Sequence, residues 1–252
     1  MPTALFISPH LDDAIFSAGG LAGLLADRGW RTVLVTVFTG SVVPAAGFAL
    51  ACQLDKGLAP DVDYMAVRRE EDRAAAAILS FTETRWMGLL EAPHRGYHSA
   101  KALFGHVLSE DSVALVLTSQ MRALRAEFEP TLVLAPQGLG NHVDHQHVTA
   151  AVVESFPANR LAFYRDTPYA IREAEAVPLP VLPEQEEESI DITAALDRKI
   201  LAAQAYASQI GFQFGGAEQL ARALRSFARR EGGGTPAERY LGEGLEMLAD
   251  AA

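Results

Sequence analysis

Cysteine is nearly absent from this 252-residue chain, with Cys52 standing alone. That excludes an intrachain disulfide and a thiolate metal cluster, so any bound metal must rest on nitrogen and oxygen ligands. Basic residues are also scarce: 21 Lys and Arg face 32 Asp and Glu, for a net charge of −11. A nucleic-acid groove or an anionic membrane surface would select clustered cations, so neither is expected as a partner, and a small molecule fits better. No run of about 18 apolar residues is present, which excludes a membrane-spanning helix. The start, Met1-Pro2-Thr3, has no basic region and no small-residue cleavage site, so a cytoplasmic location is expected. No Pro/Gly/Ser-rich linker divides the sequence, and residues 1–252 read as a single domain. A Gly-rich turn after the first strand is missing too. The carboxylates found there instead would repel a pyrophosphate, which removes dinucleotide-dependent enzymes.

What is present is a strand and helix alternation with ample apolar material, 49% of residues. Strands are expected at Ala4–Ile7, Thr32–Phe38, Thr84–Leu89, Thr131–Ala135 and Leu161–Tyr164. Helices are expected over 14–27, 67–79, 112–128 and 144–155. This βαβ grammar predicts a Rossmann-like α/β fold, a mostly parallel sheet with helices on both faces. A short β/helical C-terminal extension follows. In it, Val177–Val181 reads as an edge strand broken by prolines, and Ser189–Ile192 as another short strand. Helices are expected over 193–208 and 217–230, with Gly232-Gly233-Gly234 as a joint before a terminal helix. The acidic run Glu184–Glu188 reads as a solvated loop.

Two clusters of metal-binding side chains lie about 130 residues apart: Ser8-Pro9-His10-Leu11-Asp12-Asp13 and Asn141-His142-Val143-Asp144-His145. Each follows an apolar run and precedes a helical stretch, where open α/β sheets keep their sites. A catalytic zinc takes three ligands from His and carboxylates and keeps a position for water. His10, Asp13 and His145 supply that set. Asp12, a carboxylate not consumed as a ligand, is the candidate general base. His142 is the candidate for stabilising an oxyanion or protonating a leaving amine, with Asp144 orienting an imidazole and holding it cationic. His147, on the opposite helical face, reads as structural or solvent-exposed, and Cys52 as a small hydrophobe. His94, His98 and His106 read as surface or lip residues. The Gly138-Leu139-Gly140-Asn141 loop reads either as a close approach for substrate or as a plain turn.

With these residues, the chain resembles the PIG-L/LmbE-like deacetylases over most of its length. Their His-Pro-Asp-Asp-Glu motif stands here as His10-Leu11-Asp12-Asp13-Ala14, with Pro and Glu replaced. Their His-x-Asp-His motif is His142-Val143-Asp144-His145 without departure. The resemblance implies zinc on His10, Asp13 and His145, Asp12 as base, and His142 stabilising the tetrahedral intermediate with Asp144 tuning it. It also implies sugar contacts from Arg68 and, in a loop starting at Glu91, from that carboxylate. A helix from Lys199 through Tyr206-Ala207-Ser208-Gln209 is expected to pack near the site. The activity implied is zinc-dependent removal of an N-acetyl group from an amino sugar or sugar conjugate of the N-acetylglucosamine type. Fe²⁺ or Co²⁺ would suit the same ligands. Two alternatives stay open: an amidase for another N-acyl or thiol-conjugate substrate, and a non-catalytic metal- or sugar-binding module.

Overall fold

Apolar runs and helical periods alternate along the chain, and in the computed structural model, which describes residues 1–249, they build one seven-stranded sheet. In chain order the elements are β1 (Thr3–Ser8), α1 (Asp13–Asp27), β2 (Arg31–Phe38), α2 (Gly47–Leu54), α3 (Tyr64–Ile78), β3 (Glu83–Leu89), α4 (Ala100–Leu103), α5 (Val113–Phe128) and β4 (Leu132–Pro136). Then come α6 (Val143–Ser155), β5 (Leu161–Tyr164), α7 (Tyr169–Arg172), β6 (Glu188–Asp191), α8 (Leu196–Ala203), α9 (Ala207–Phe214), α10 (Ala217–Glu231), β7 (Ala237–Leu241) and α11 (Glu246–Ala249). The sheet order is β3-β2-β1-β4-β5-β7-β6, parallel from β3 to β5, with β7 antiparallel to both its neighbours. The expected α/β class is therefore what forms.

Period-two alternation along β1 assigns its side chains to two cores. Phe6 points into a layer with Ile15 and Leu21 of α1 and Ile200 of α8, while Leu5 and Ile7 point into a layer with Leu117 of α5 and Val152 of α6. Because β1 pairs with β2 on one side and β4 on the other, the strand order reverses between β1 and β4. A crevice opens at such a switch point beyond the carboxyl ends of the strands, and both metal-binding clusters leave the sheet there. Among the described residues, no helix is long and apolar enough to cross a membrane.

Three expectations for the last third are corrected. Residues 177–181 form no strand, because Pro178 and Pro180 remove ladder donors; Leu179 instead packs against Gly138. The single helix over 193–208 divides into α8 and α9, with Gln204–Tyr206 between them. After Gly232-Gly233-Gly234 comes strand β7, not a helix. Its charged residues disguise it: Glu238 is buried and pairs with Lys199 at 2.6 Å, and it also accepts from the Gly20 and Leu21 N–H groups of α1. An early helix, α2, was not expected from the sequence.

Candidate metal and active site

The first half of the site is a strand-to-helix turn closed by Ser8. Its buried Oγ donates to the His10 carbonyl at 2.6 Å and accepts from the Ala14 N–H at 3.0 Å. Asp13, the first residue of α1, turns back so that Oδ2 accepts from the His10 N–H at 2.9 Å and lies 3.2 Å from His10 Nδ1. Ala14, where the motif has Glu, is packed into the core, so no carboxylate stands there.

The second half comes from the turn between β4 and α6. Gly138 and Gly140 have φ of 77° and 80°, and a Cβ on either would meet Leu179 or Tyr169 closer than 3.0 Å, which explains the glycines. The Gly138 and Leu139 N–H groups donate to Asp166 Oδ2 at 2.9 and 3.1 Å. Asp166 Oδ1 in turn meets His145 Nδ1 at 2.5 Å. This leaves His145 Nε2 facing Asp13 Oδ2 at 3.2 Å, an approach without hydrogen-bond geometry, so Nε2 is buried with no hydrogen-bond partner among the described residues.

These atoms test whether a metal fits. His10, Asp13 and His145 offer ligand atoms within 4.8 Å of one another. A carboxylate accepts on the other nitrogen of each ring: Asp144 on His10 Nε2 at 2.9 Å and Asp166 on His145 Nδ1. That arrangement assigns the ring protons away from Asp13 and turns two lone pairs towards it, as second partners of metal-bound histidines do. A divalent cation fits this set. The grouping of His10, His142 and Asp144 is as close, but there His10 already shares its Nε2 proton with Asp144, so the first set is the better cradle.

Electrostatics agree. Burial alone would lower the His145 pKa, but Asp13 and Asp166 outweigh it and raise it to about 9. Burial likewise opposes His10, whose pKa Asp13 and Asp144 nevertheless lift well above the usual imidazole value. Asp13 is held well below the carboxylate range by the imidazoles despite its burial. His10 and His145 thus hold protons around an ionised Asp13, and a cation would displace the protons that face it. Replacing Asp166 with asparagine removes the charge behind His145, and divalent-metal affinity is expected to fall about 10–100-fold in a chelator competition assay.

Asp12 lies beside this set without joining it. Gln213 of α9 donates from Nε2 to Asp12 Oδ2 at 3.0 Å, and Arg68 NH2 lies 3.5 Å from Oδ1. Burial raises the Asp12 pKa to about 7, with Arg68 opposing. His142, at the N-terminus of α6, accepts from the Asp144 N–H through Nδ1 at 3.2 Å, which assigns its own proton to Nε2. Burial pulls its pKa down to about 3, so the ring is neutral.

The expected pairing of Asp144 with His142, and with it the cationic imidazole, is corrected. The Asp144 carboxylate is spent on His10, on Arg95 NH2 at 2.7 Å and on the Ala92 N–H at 3.1 Å. Arg68 and Glu91 both reach the cavity wall, but as partners of each other at 2.6 Å, with Arg68 also donating to the Leu11 carbonyl. His94 lines the cavity, His98 and His106 are exposed, and His147 is buried against Asp111 at 3.1 Å. Cys52 is half-buried on the wall with its thiol pKa raised by burial, which makes it a poor nucleophile. The helix pair after Lys199 does pack beside the site: Tyr206 donates to Asp72 at 2.7 Å, and Gln209 lines the cavity.

Sequence reasoning missed Asp166, Arg95 and Gln213. Asp166 follows β5 by two residues, at the carboxyl end of the strand next to β4, which was a usable signal. Arg95 and Gln213 come from a loop and a helix whose approach to the site depends on tertiary packing. Of the three only Gln213 lines the cavity, which has a volume of about 200 Å³, with Phe104, Tyr169 and Phe212 among its walls.

Comparison with known proteins places these features in company. A family model described as PIG-L, GlcNAc-PI de-N-acetylase, matches residues 5–156, which include both clusters. A 2'-N-acetylparomamine deacetylase from Streptomyces fradiae is 32% identical over 244 residues, covering 92% of this chain and 81% of that protein. The teicoplanin deacetylase Orf2, solved in a zinc-inhibited form, superposes with a TM-score of 0.80 at 28% identity, over 95% of this chain and 97% of that one. The A40926 pseudoaglycone deacetylase Dbv21 does so with the same score and identity, over 95% and 96%.

Proposed function

The chain belongs to the PIG-L family, and from that premise we propose that it is a metal-dependent hydrolase that removes an N-acetyl group from an amino sugar or sugar conjugate, releasing acetate and a free amine. The observation that carries this reading is Asp12: a buried carboxylate beside three convergent ligands, held by Gln213 and Arg68 and left over as a base. A pure binding site has no use for it. The whole chain acts as one catalytic domain, since its single sheet runs from residue 3 to residue 241.

His10, Asp13 and His145 would hold the cation, which we take to be zinc, with Fe²⁺ and Co²⁺ compatible with the same donors. When bound, it supplies Lewis acidity and makes water acidic near neutral pH. Asp12 accepts the proton of the attacking water on its carboxylate, and a base poised near neutrality suits that transfer. The neutral His142 donates from Nε2 to the carbonyl oxygen as negative charge develops there. Asp144 and Asp166 keep the two ligand imidazoles in the tautomers that face Asp13. Arg68, tied to Glu91, fixes Asp12 from one side and Gln213 from the other.

Acetate and free amine, measured together from a panel of N-acetylglucosaminides and other N-acyl conjugates, test the reading. Equal amounts of both are expected with metal-loaded protein. A metal-loaded protein that releases acetate from none of them would contradict it and favour the non-catalytic module. Gln213→Leu is expected to lower kcat about 10–100-fold with unchanged metal content, because a hydrogen bond to a charged group contributes about 1.5–3 kcal/mol. Steady-state kinetics alongside metal analysis check it.

A further inference from the structure

The cavity is cationic in its unpaired charge although the chain as a whole is strongly acidic. Three carboxylates line it, and each is engaged: Asp13 with His10 and His145, Glu91 with Arg68, and Asp12 with Gln213 and Arg68. The cations are not so balanced. Lys56, at the end of α2, has Nζ on the Cys52 carbonyl at 3.0 Å and over the Phe212 ring at 4.9 Å, with no carboxylate ion pair among the described residues. Arg172, at the end of α7, spends NH2 on the Gln213 carbonyl at 2.9 Å and likewise has no carboxylate partner among those residues. Lys56 and Arg172 both line the cavity, and the residues they contact, Phe212 and Gln213, are consecutive.

The apolar surroundings sharpen this. Phe212 is 60% exposed and Phe104 43% exposed, both on the cavity wall, and side chains of that size left open to solvent offer a flat apolar moiety a surface. Lys56 itself is partly buried, and its pKa is lowered by that burial and by Arg68, against the more distant pull of Glu91, Cys52 and Asp12. An incoming anion would offset both effects.

Resting on the deacetylase reading above, we propose that Lys56 and Arg172 form an anion subsite, so that the substrate is an N-acetyl amino sugar whose aglycone carries a carboxylate or phosphate on an apolar or aromatic body. A polycationic amino sugar is disfavoured, because the cavity keeps no free carboxylate for its ammonium groups and carries on its wall two cations without carboxylate partners among the described residues.

Matched β-N-acetylglucosaminides test this: phenyl, 4-carboxyphenyl, 4-phosphophenyl and 4-trimethylammoniophenyl. Binding is measured by calorimetry to metal-loaded Asp12→Asn protein, and acetate release with the wild type. One or both anionic probes should bind about 10–100-fold more tightly than the cationic one, with phenyl between, and their ranking separates carboxylate from phosphate. Lys56→Met should reduce that ratio at least about fivefold, and Lys56→Glu should reverse the order. Arg172→Met reports the second cation by the same ratio and does not depend on how Lys56 variants fold. Equal affinity for all four probes, or a preference for the cation, overturns the subsite. Absence of acetate from every probe counts against the deacetylase reading alone, since the binding ranks are read on a protein that need not turn over.

Discussion

Asp12→Asn should cut turnover about 10²–10⁴-fold while the protein still takes up one equivalent of divalent metal. Asparagine keeps the shape of the side chain and can still meet Gln213 and Arg68, so the turn between β1 and α1 survives. What it loses is the ability to accept a proton. The size of the effect follows from the environment: burial lifts this carboxyl to about 7, Arg68 restrains it, and a neighbouring cation would restrain it further, leaving a base that is ionised at neutral pH and still able to bind a proton. Acetate-release kinetics together with elemental analysis check the pair of outcomes. A metal-loaded Asp12→Asn enzyme with wild-type turnover would refute the role assigned to Asp12.

Asp13→Ala is expected to cost more, because it removes one proposed ligand and the group on which the other two converge. Its Oδ2 lies 3.2 Å from both His10 Nδ1 and His145 Nε2 and also accepts from the His10 N–H. Metal content should fall towards zero, and activity should fall further than in Asp12→Asn. A second readout separates this from general misfolding. Asp13 is the leading cause of the raised His145 pKa after burial is set against it, so in the metal-free variant His145 should titrate well below about 9, visible by NMR. The sign carries to stability. A raised imidazole pKa stabilises the fold fully below the unfolded value near 6.5, and that stabilisation is lost as pH rises through about 9. Metal-free wild type should therefore lose thermal stability across that window, and Asp13→Ala should lose less.

The proposed ligands are legible in the sequence because their convergence depends on local geometry. His10 to Asp13 and His142 to His145 each lie within one turn at a strand end, and two such turns at a switch point can share an ion whatever the rest of the fold does. Residues whose role depends on distant packing were less legible. Asp144 was read towards His142, its neighbour by two residues, yet its carboxylate crosses to His10 from the other half of the sheet. Asp166 reads as an ordinary loop acid until the Gly138 turn is folded over it. Gln213 reaches Asp12 across 201 residues of sequence, on a helix whose boundary the sequence blurred into its predecessor. Strand β7 failed for a similar reason: a buried Glu238 looks like surface until Lys199 is placed against it. Arg68 and Glu91 were found as individuals but not as a pair, and the pairing changes what they can offer a substrate.

One cation gripped jointly by the two turns is what the proposed chemistry requires, and anomalous diffraction at the absorption edge of the metal found in purified protein tests that most directly. A single strong peak bonded to His10 Nδ1, Asp13 and His145 Nε2, with Asp12 adjacent but unbonded, is the predicted result. A peak held by other side chains, or a metal-saturated crystal with no peak between residues 13 and 145, would contradict it.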